Sequence, residues 1–472
     1  MKGLSVRLIN FACCIVLLQG CSLHKAKNQY ETLKPPATFN SVTEMPAGSA
    51  VTSAKWWLKF NDTALNNLMD DVLKNNTDIT QAYYRLVQAS AYAKGKTSDL
   101  LPDISFNGRG KIEYSDAYAS NVSTYSLSLV ASYELDLWGK IRSAKKVADF
   151  SREASLFDLQ SMYITITAQA GELYFRAQEG KGRVIFCREA VRLNQENVKI
   201  ISWSYAEGLT DSSAVYSARQ ALANAEADLI RQEASYKKII HALSILQGKY
   251  PEVPENYVLP LLAEFNDAFP KGIPSDLLKS RPDIQKILAT LMAADSEIGV
   301  ALANRFPSIS LTASVGRSGT DLTGDMVSST FSNLAGNLIM PVLDWGKRKA
   351  ESKRVTAKFK EILFGYKKAV LNGFREAEDA IADYDAARGT LEQIKRMEQF
   401  SGANHARLEM KYESGLSGYT SVISAKNQHI DARKRLSEAK LDVILKNISL
   451  VRAFGGTWMI QDIKRKSEQE KG

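Results

Sequence analysis

The sequence predicts an α+β membrane protein built as two copies of one unit, each a β-hairpin followed by a pair of long helices. Three observations carry this: an internal repeat over most of the chain, segments of period-two alternation, and long proline-free stretches with apolar residues spaced by threes and fours. Beyond the N-terminus no uncharged apolar run reaches the roughly 18 residues of a membrane helix, so any membrane must be crossed by strands.

The repeat is read from residue identities at a nearly constant offset. At 205, Asp78-Ile79 falls on Asp283-Ile284, Leu86 on Leu291, Ala89 on Ala294, and Pro102 with Ile104-Ser105 on Pro307 with Ile309-Ser310. At 207, Trp138-Gly139-Lys140 falls on Trp345-Gly346-Lys347, Tyr205 and Gly208-Leu209 on Tyr412 and Gly415-Leu416, and Gly248 on Gly455. Proline agrees: none lies between Pro102 and Pro251, and none after Pro341, which leaves room for long helices.

Four strands are expected. Tyr125, Leu127, Leu129, Ala131, Tyr133, Leu135 and Leu137 alternate with residues that are all but one Ser, Glu or Asp, long enough for a tilted membrane strand. Before it, Ile104, Phe106, Gly108, Gly110, Ile112 and Tyr114 alternate with polar residues. Ile309, Leu311, Ala313 and Val315 repeat the pattern, and a less regular fourth strand is expected at Phe331–Leu343, where Ile339 breaks phase. Alternation alone also fits a soluble sandwich with one wet face; the export signal described below favours the membrane.

A helix follows each Trp-Gly-Lys. Leu156, Leu159, Tyr163, Ile166, Ala170, Leu173 and Ala177 mark a coiled-coil seam in the first copy, and Val355, Phe359, Ile362, Tyr366, Val370, Phe374, Ala377, Ile381 and Tyr384 mark one in the second. The first helix, Gly139 to about Ser204, would be roughly 100 Å long, with Gly180 and Gly182 as points of weakness. Tyr205–Leu209 and Tyr412–Leu416 read as turns, each followed by a returning helix that ends at Gly248 or Gly455. Four strands per chain cannot close a membrane barrel, for which about eight is the minimum. The chain must therefore oligomerise, and cyclic symmetry allows a dimer of eight strands or a trimer of twelve.

The N-terminus reads as an export signal over residues 1–20: Lys2 and Arg7, an apolar run from Leu8 to Leu18, then Leu18-Gln19-Gly20-Cys21, which resembles a lipobox with Cys21 as the acylated residue. Two or three acyl chains would anchor the chain stably. Of four cysteines only Cys187 remains, so no intrachain disulfide is expected and Cys187 is read as a packing residue. The formal charge of +9 falls to +7 without Lys2 and Arg7 and is spread along the chain, with no nucleic-acid motif. The division expected is 21–58 as anchored linker, 59–250 as first repeat, 251–275 as inter-repeat linker, 276–456 as second repeat and 457–472 as tail.

Further residues carry a family resemblance: Trp56-Trp57 with Phe60 and Asp62, Leu101-Pro102, Ile273–Leu278, Arg281-Pro282-Asp283-Ile284, Phe306–Leu311, Pro341 with Asp344-Trp345-Gly346, and the closing Gly455-Gly456-Thr457-Trp458. In these the chain resembles the TolC/OprM-like outer-membrane efflux proteins, most closely the lipoprotein branch serving resistance-nodulation-division pumps. The resemblance implies a homotrimer with a twelve-stranded barrel in the outer membrane of a Gram-negative bacterium, continued by a periplasmic α-helical tunnel. It also implies a passive exit duct for drugs or other small solutes, fed by an inner-membrane pump through a periplasmic adaptor, the membrane fusion protein. No cofactor, metal or catalytic group is implied. In family terms Tyr205, Gly208, Leu209, Tyr412, Gly415 and Leu416 lie at the tunnel mouth and dock the adaptor; Gly208 and Gly415 suit helix C-caps as well. An acidic gate residue of related channels is replaced here by Ser417, and Asp211 is the other candidate constriction residue, equally suited to a helix N-cap.

Alternative readings are an enzyme, a structural coiled-coil lipoprotein without a pore, and a channel for type I protein secretion. The inventory opposes the first: His24, His241, His405 and His429 fall in no nucleophile or metal motif, and His405 with Glu409 reads as a solvated pair. The second leaves the amphipathic strands unexplained. The lipobox and Gly-Gly-Thr-Trp ending favour efflux over the third.

Overall fold

A computed structural model describes residue 24 and residues 55–115, 120–252, 260–262, 280–319 and 329–469. Cys21, the expected export signal and most of the linker between the repeats lie outside the described residues. A 3₁₀ turn at Trp56–Phe60 leads into α1 (Thr63–Asn75), α2 (Thr77–Ser98), β1 (Asp103–Ser115), β2 (Ser120–Leu135), α3 (Lys140–Ala206) and α4 (Ser212–Leu246). There follow α5 (Pro282–Ala303), β3 (Ser308–Gly319), β4 (Ser329–Ile339), α6 (Lys347–Glu413), α7 (Tyr419–Phe454) and α8 (Met459–Gln469). The chain forms two compact units.

One unit, drawn from residues 1–33, 84–157 and 285–369, contains the sheet. Its order is β1-β2-β3-β4, every neighbour antiparallel. Phe106 stands opposite Leu129, Leu129 opposite Val315, and Ala313 opposite Leu334, so the alternation read from each strand aligns into one apolar face across all four. The other face carries Asp103, Ser105 and Asn107 beside Ser132 and Ser128, then Thr312, Ser314 and Asn333. On the apolar face Ile104, Phe106, Leu334 and Leu338 are all exposed. Among the described residues no further strand pairs with the edges at β1 and β4.

The fourth strand is shorter than expected. It ends at Ile339, opposite Ser308, where β3 begins; among the described residues Met340 to Leu343 therefore have no strand to pair with.

The other unit, residues 34–83, 158–284 and 370–472, is helical. α6 keeps its predicted one-sided seam, with Ala377, Ile381, Tyr384 and Leu391 buried against Val443 and Leu450 of α7. α3 departs from it. Between Tyr163 and Glu179 it is buried on several sides, Ile164, Ala168 and Phe175 as well as the seam, because aromatic residues from both ends of the sequence surround it. Trp57 packs edge-on against Trp458 at 4.9 Å, Phe60 lies 4.7 Å from Phe175, and the Tyr174 hydroxyl donates to Asp62 at 2.7 Å. Asp62 also caps α1, accepting from Ala64 and Leu65. α3 and α6 are each 67 residues long, and Gly180 and Gly182 do not interrupt α3.

Each returning helix closes on the first helix of its own repeat. The Asn76 side chain caps α2 through Ile79 N–H and donates to the Leu246 carbonyl at 3.0 Å, while Ser280 donates to the Phe454 carbonyl at 2.7 Å. The glycines that end these helices, Gly248 and Gly455, have φ of +69° and +72°.

Candidate functional site

The two helical hairpins end in matched turns. In the first, Gly208 (φ +69°) donates its N–H to Tyr205 O and Leu209 donates to Ser204 O at 2.8 Å. In the second, Gly415 (φ +71°) donates to Tyr412 O and Leu416 to Lys411 O, again at 2.8 Å. Both are Schellman motifs, which satisfy the last carbonyls of α3 and α6 and need a residue free to adopt positive φ.

The predicted tip residues are thereby presented at equivalent positions. Leu209 is 72% and Leu416 78% exposed, against the tendency of leucine to be buried. Tyr205 is exposed, and Tyr412 leans on Tyr419 across its turn with ring centroids 5.3 Å apart. Trp203, Tyr216 and Met410 are also exposed at these tips; they sit in regular helix five to eight residues from the turn glycines, where no local sequence motif marks them. Behind the tips, Ile201 of α3 packs with Val215 and Ala218 of α4 inside the first hairpin, while Leu193 of α3 packs with Ile423 and Ile430 of α7 and so joins the two hairpins to each other.

Asp211 is the N-cap of α4. The Ser213 hydroxyl at 2.6 Å, and then the Ala214 N–H, hold its exposed carboxyl below the ordinary carboxylate range. The equivalent position of the second hairpin is Gly418, which caps α7 without a side chain, and Ser417 precedes it, half-buried.

Elsewhere, Cys187 is buried, and burial pushes its thiol up, away from the reactive thiolate. His405 is not in a solvated pair: its side chain is 16% exposed and its Nε2 lies 3.9 Å from Glu409, beyond hydrogen-bond range. Its ring faces His429 at 6.1 Å because α7 covers that side of α6, and His429 meets Glu398 at 3.0 Å. Among the described residues no group of three or more His, Cys, Asp or Glu is arranged to hold a metal ion.

The decisive comparison is with a protein family. The family model described as "Outer membrane efflux protein" matches residues 68–249 and 273–456, most of the chain and once per repeat. The chain belongs to the outer membrane efflux protein family. Among its relatives, the cation efflux system protein CusC of Escherichia coli O6:H1 is 24% identical over 455 residues, 94% of this chain and 98% of CusC. The solvent efflux pump outer membrane protein SrpC of Pseudomonas putida is 29% identical over 423 residues, 85% of this chain and 87% of SrpC. The solved Campylobacter jejuni CmeC outer membrane channel superposes with a TM-score of 0.86 at 23% identity, covering 95% of this chain and 98% of CmeC. The chain has the fold of these trimeric outer-membrane channels, in which each protomer gives four strands to a twelve-stranded barrel and its long helices to an α-helical barrel. Of the two oligomers the strand count allowed, family membership selects the trimer, and the efflux protein's place is the outer membrane. It is an outer-membrane efflux channel subunit.

Proposed function

We propose that this channel is the passive exit duct of a tripartite pump, carrying drugs or other small solutes, and that the turns at Tyr205–Leu209 and Tyr412–Leu416 dock a periplasmic adaptor. The observation supporting this is the repeated tip: two capped turns that each hold a leucine and a tyrosine outward at equivalent positions. Exposed apolar residues clustered at a rigid turn are suited to helix-tip recognition, since the backbone is already ordered before binding. Six such tips surround the mouth of a trimer, two from each protomer.

In the same reading an inner-membrane pump of the resistance-nodulation-division type supplies the energy, and the channel catalyses no reaction. Cys21 carries the acyl chains that hold the N-terminus to outer-membrane lipid. Asp211 acts as both N-cap and, in a ring of three, as a cation-attracting charge at the mouth; Ser417 is the uncharged neighbour in the other hairpin.

The test is binding to periplasmic adaptors of the membrane fusion protein class, measured on purified trimers by native mass spectrometry. Leu209→Asp with Leu416→Asp should abolish the complex while leaving a heat-resistant trimer and its conductance in planar bilayers. Undiminished adaptor binding by that variant would contradict the docking role.

A further inference from the structure

Inside one chain the two repeats meet along the β2–β3 seam, which runs from Tyr125 opposite Gly319 to Leu135 opposite Ile309. Just past its end Trp138 locks the junction. Its indole Nε1 donates to the Pro307 carbonyl at 2.7 Å and its ring stacks on Phe306, centroids 5.0 Å apart at 29°. The second repeat has the same Trp-Gly-Lys after β4, but Trp345 is 90% exposed. So are the counterparts of Phe306 and Pro307 at the repeat offset: Leu101 is 68% exposed, and Pro102 is exposed at the start of β1.

In a barrel of three protomers, β4 of each must meet β1 of the next, and this joint relates a second repeat to a first as β2–β3 relates a first to a second. We propose that it is built on the same template: Trp345 packs on Leu101 of the next protomer and donates to the carbonyl of that protomer's Pro102. The template also fixes the register. β3 repeats β1 at an offset of 205, and the ladder pairs Asp103 with Ser132 and Ser308 with Ile339 then place β4 at 207 from β2. Transferring the β2–β3 pairs by those offsets sets Val342 opposite the neighbour's Ile104, Met340 opposite its Phe106 and Asn337 opposite its Arg109.

This accounts for two loose ends of the single chain. Met340–Val342, unpaired here, gain a strand to pair with, so β4 lengthens toward the span its alternation indicates. Trp345, held at φ +51° and 90% exposed, gains the partner that Trp138 has in its own chain. Apolar side chains align at the new joint as at the old one, with Ile104, Phe106, Met340 and Val342 all exposed before assembly. Adaptor docking plays no part in this joint.

The test uses the full-length chain in outer membranes, with Cys187 buried in every variant. The pair Asn337→Cys with Arg109→Cys should oxidise to covalent dimers and trimers on denaturing gels, which neither single variant forms. Asn337→Cys with Asn107→Cys or Lys111→Cys should crosslink at least several-fold less, because diagonal neighbours lie about 7–8 Å apart, beyond disulfide reach. Stronger crosslinking to residue 107 or 111 than to 109 would overturn the register. Trp345→Ala should lower the temperature at which trimers dissociate, with Trp345→Phe intermediate; trimers of Trp345→Ala as heat-resistant as the parent would overturn the tryptophan contact.

Discussion

Gly455 packs against the carbonyl of Ser280 so closely that a β-carbon there would lie 2.4 Å from the oxygen, and Gly248 stands in the same relation to Asn75, at 2.6 Å. The end of each returning helix is thus seated on the start of its repeat, in both copies, by a glycine that nothing larger can replace. Gly455→Ala or Gly248→Ala adds a backbone clash to a left-handed conformation, and should cost about 2–4 kcal/mol. Gly415→Ala meets only open space and should cost about 1–2 kcal/mol. Thermal unfolding of purified protein in detergent should rank them in that order.

Arg281 is buried at this closure, donating to Asp283 at 2.6 Å, Glu376 at 2.7 Å and the Ala453 carbonyl at 3.3 Å. Burial pushes the Asp283 carboxyl up, but the hydrogen bond and charge of Arg281 outweigh it and hold the group below the ordinary carboxylate range. A depressed carboxyl stabilises above its unfolded pKa, and this stabilisation is lost as pH falls through the folded one, a window below about pH 4. Because both carboxylates are nearly half exposed, Arg281→Gln should cost only about 1–3 kcal/mol at pH 7. The difference from the parent should shrink below pH 4 in acid-unfolding curves.

Asp211→Asn retains an N-cap while removing the charge. In bilayers it should reduce the preference for cations over anions and leave the heat-resistant trimer intact; Gly418→Asp, which adds a charge at the equivalent cap, should increase it. Reversal potentials in asymmetric salt read both.

Trp57, 1% exposed and edge-on to Trp458, joins the 3₁₀ turn at Trp56–Phe60 to the turn that leads into α8. Trp57→Ala should cost about 3–5 kcal/mol, and removing residues from Trp458 onward should destabilise the same helical unit, both measured by the temperature of helix loss in circular dichroism.

Much of this was legible in the sequence because the repeat supplied each reading twice. Alternation placed all four strands, and the Gly208 and Gly415 turns fall where Tyr-x-x-Gly-Leu marks them. Two features were hidden. The burial of α3 on several sides depends on Trp56, Trp57 and Trp458, which are far from it in sequence and carry no local period. The end of β4 depends on the number of strands available to pair, which one chain lacks. At the tips, Leu209 and Leu416 were visible beside their glycines, but Trp203, Tyr216 and Met410 sit in regular helix where only exposure distinguishes them.

Two strand pairs per chain make a pore only when chains combine. Planar-bilayer recordings of the purified trimer, before and after dissociation into protomers, test it most directly. Stepwise ionic conductance from the trimer and none from protomers is the predicted result; conductance by protomers alone, or silence from intact trimers, would contradict it.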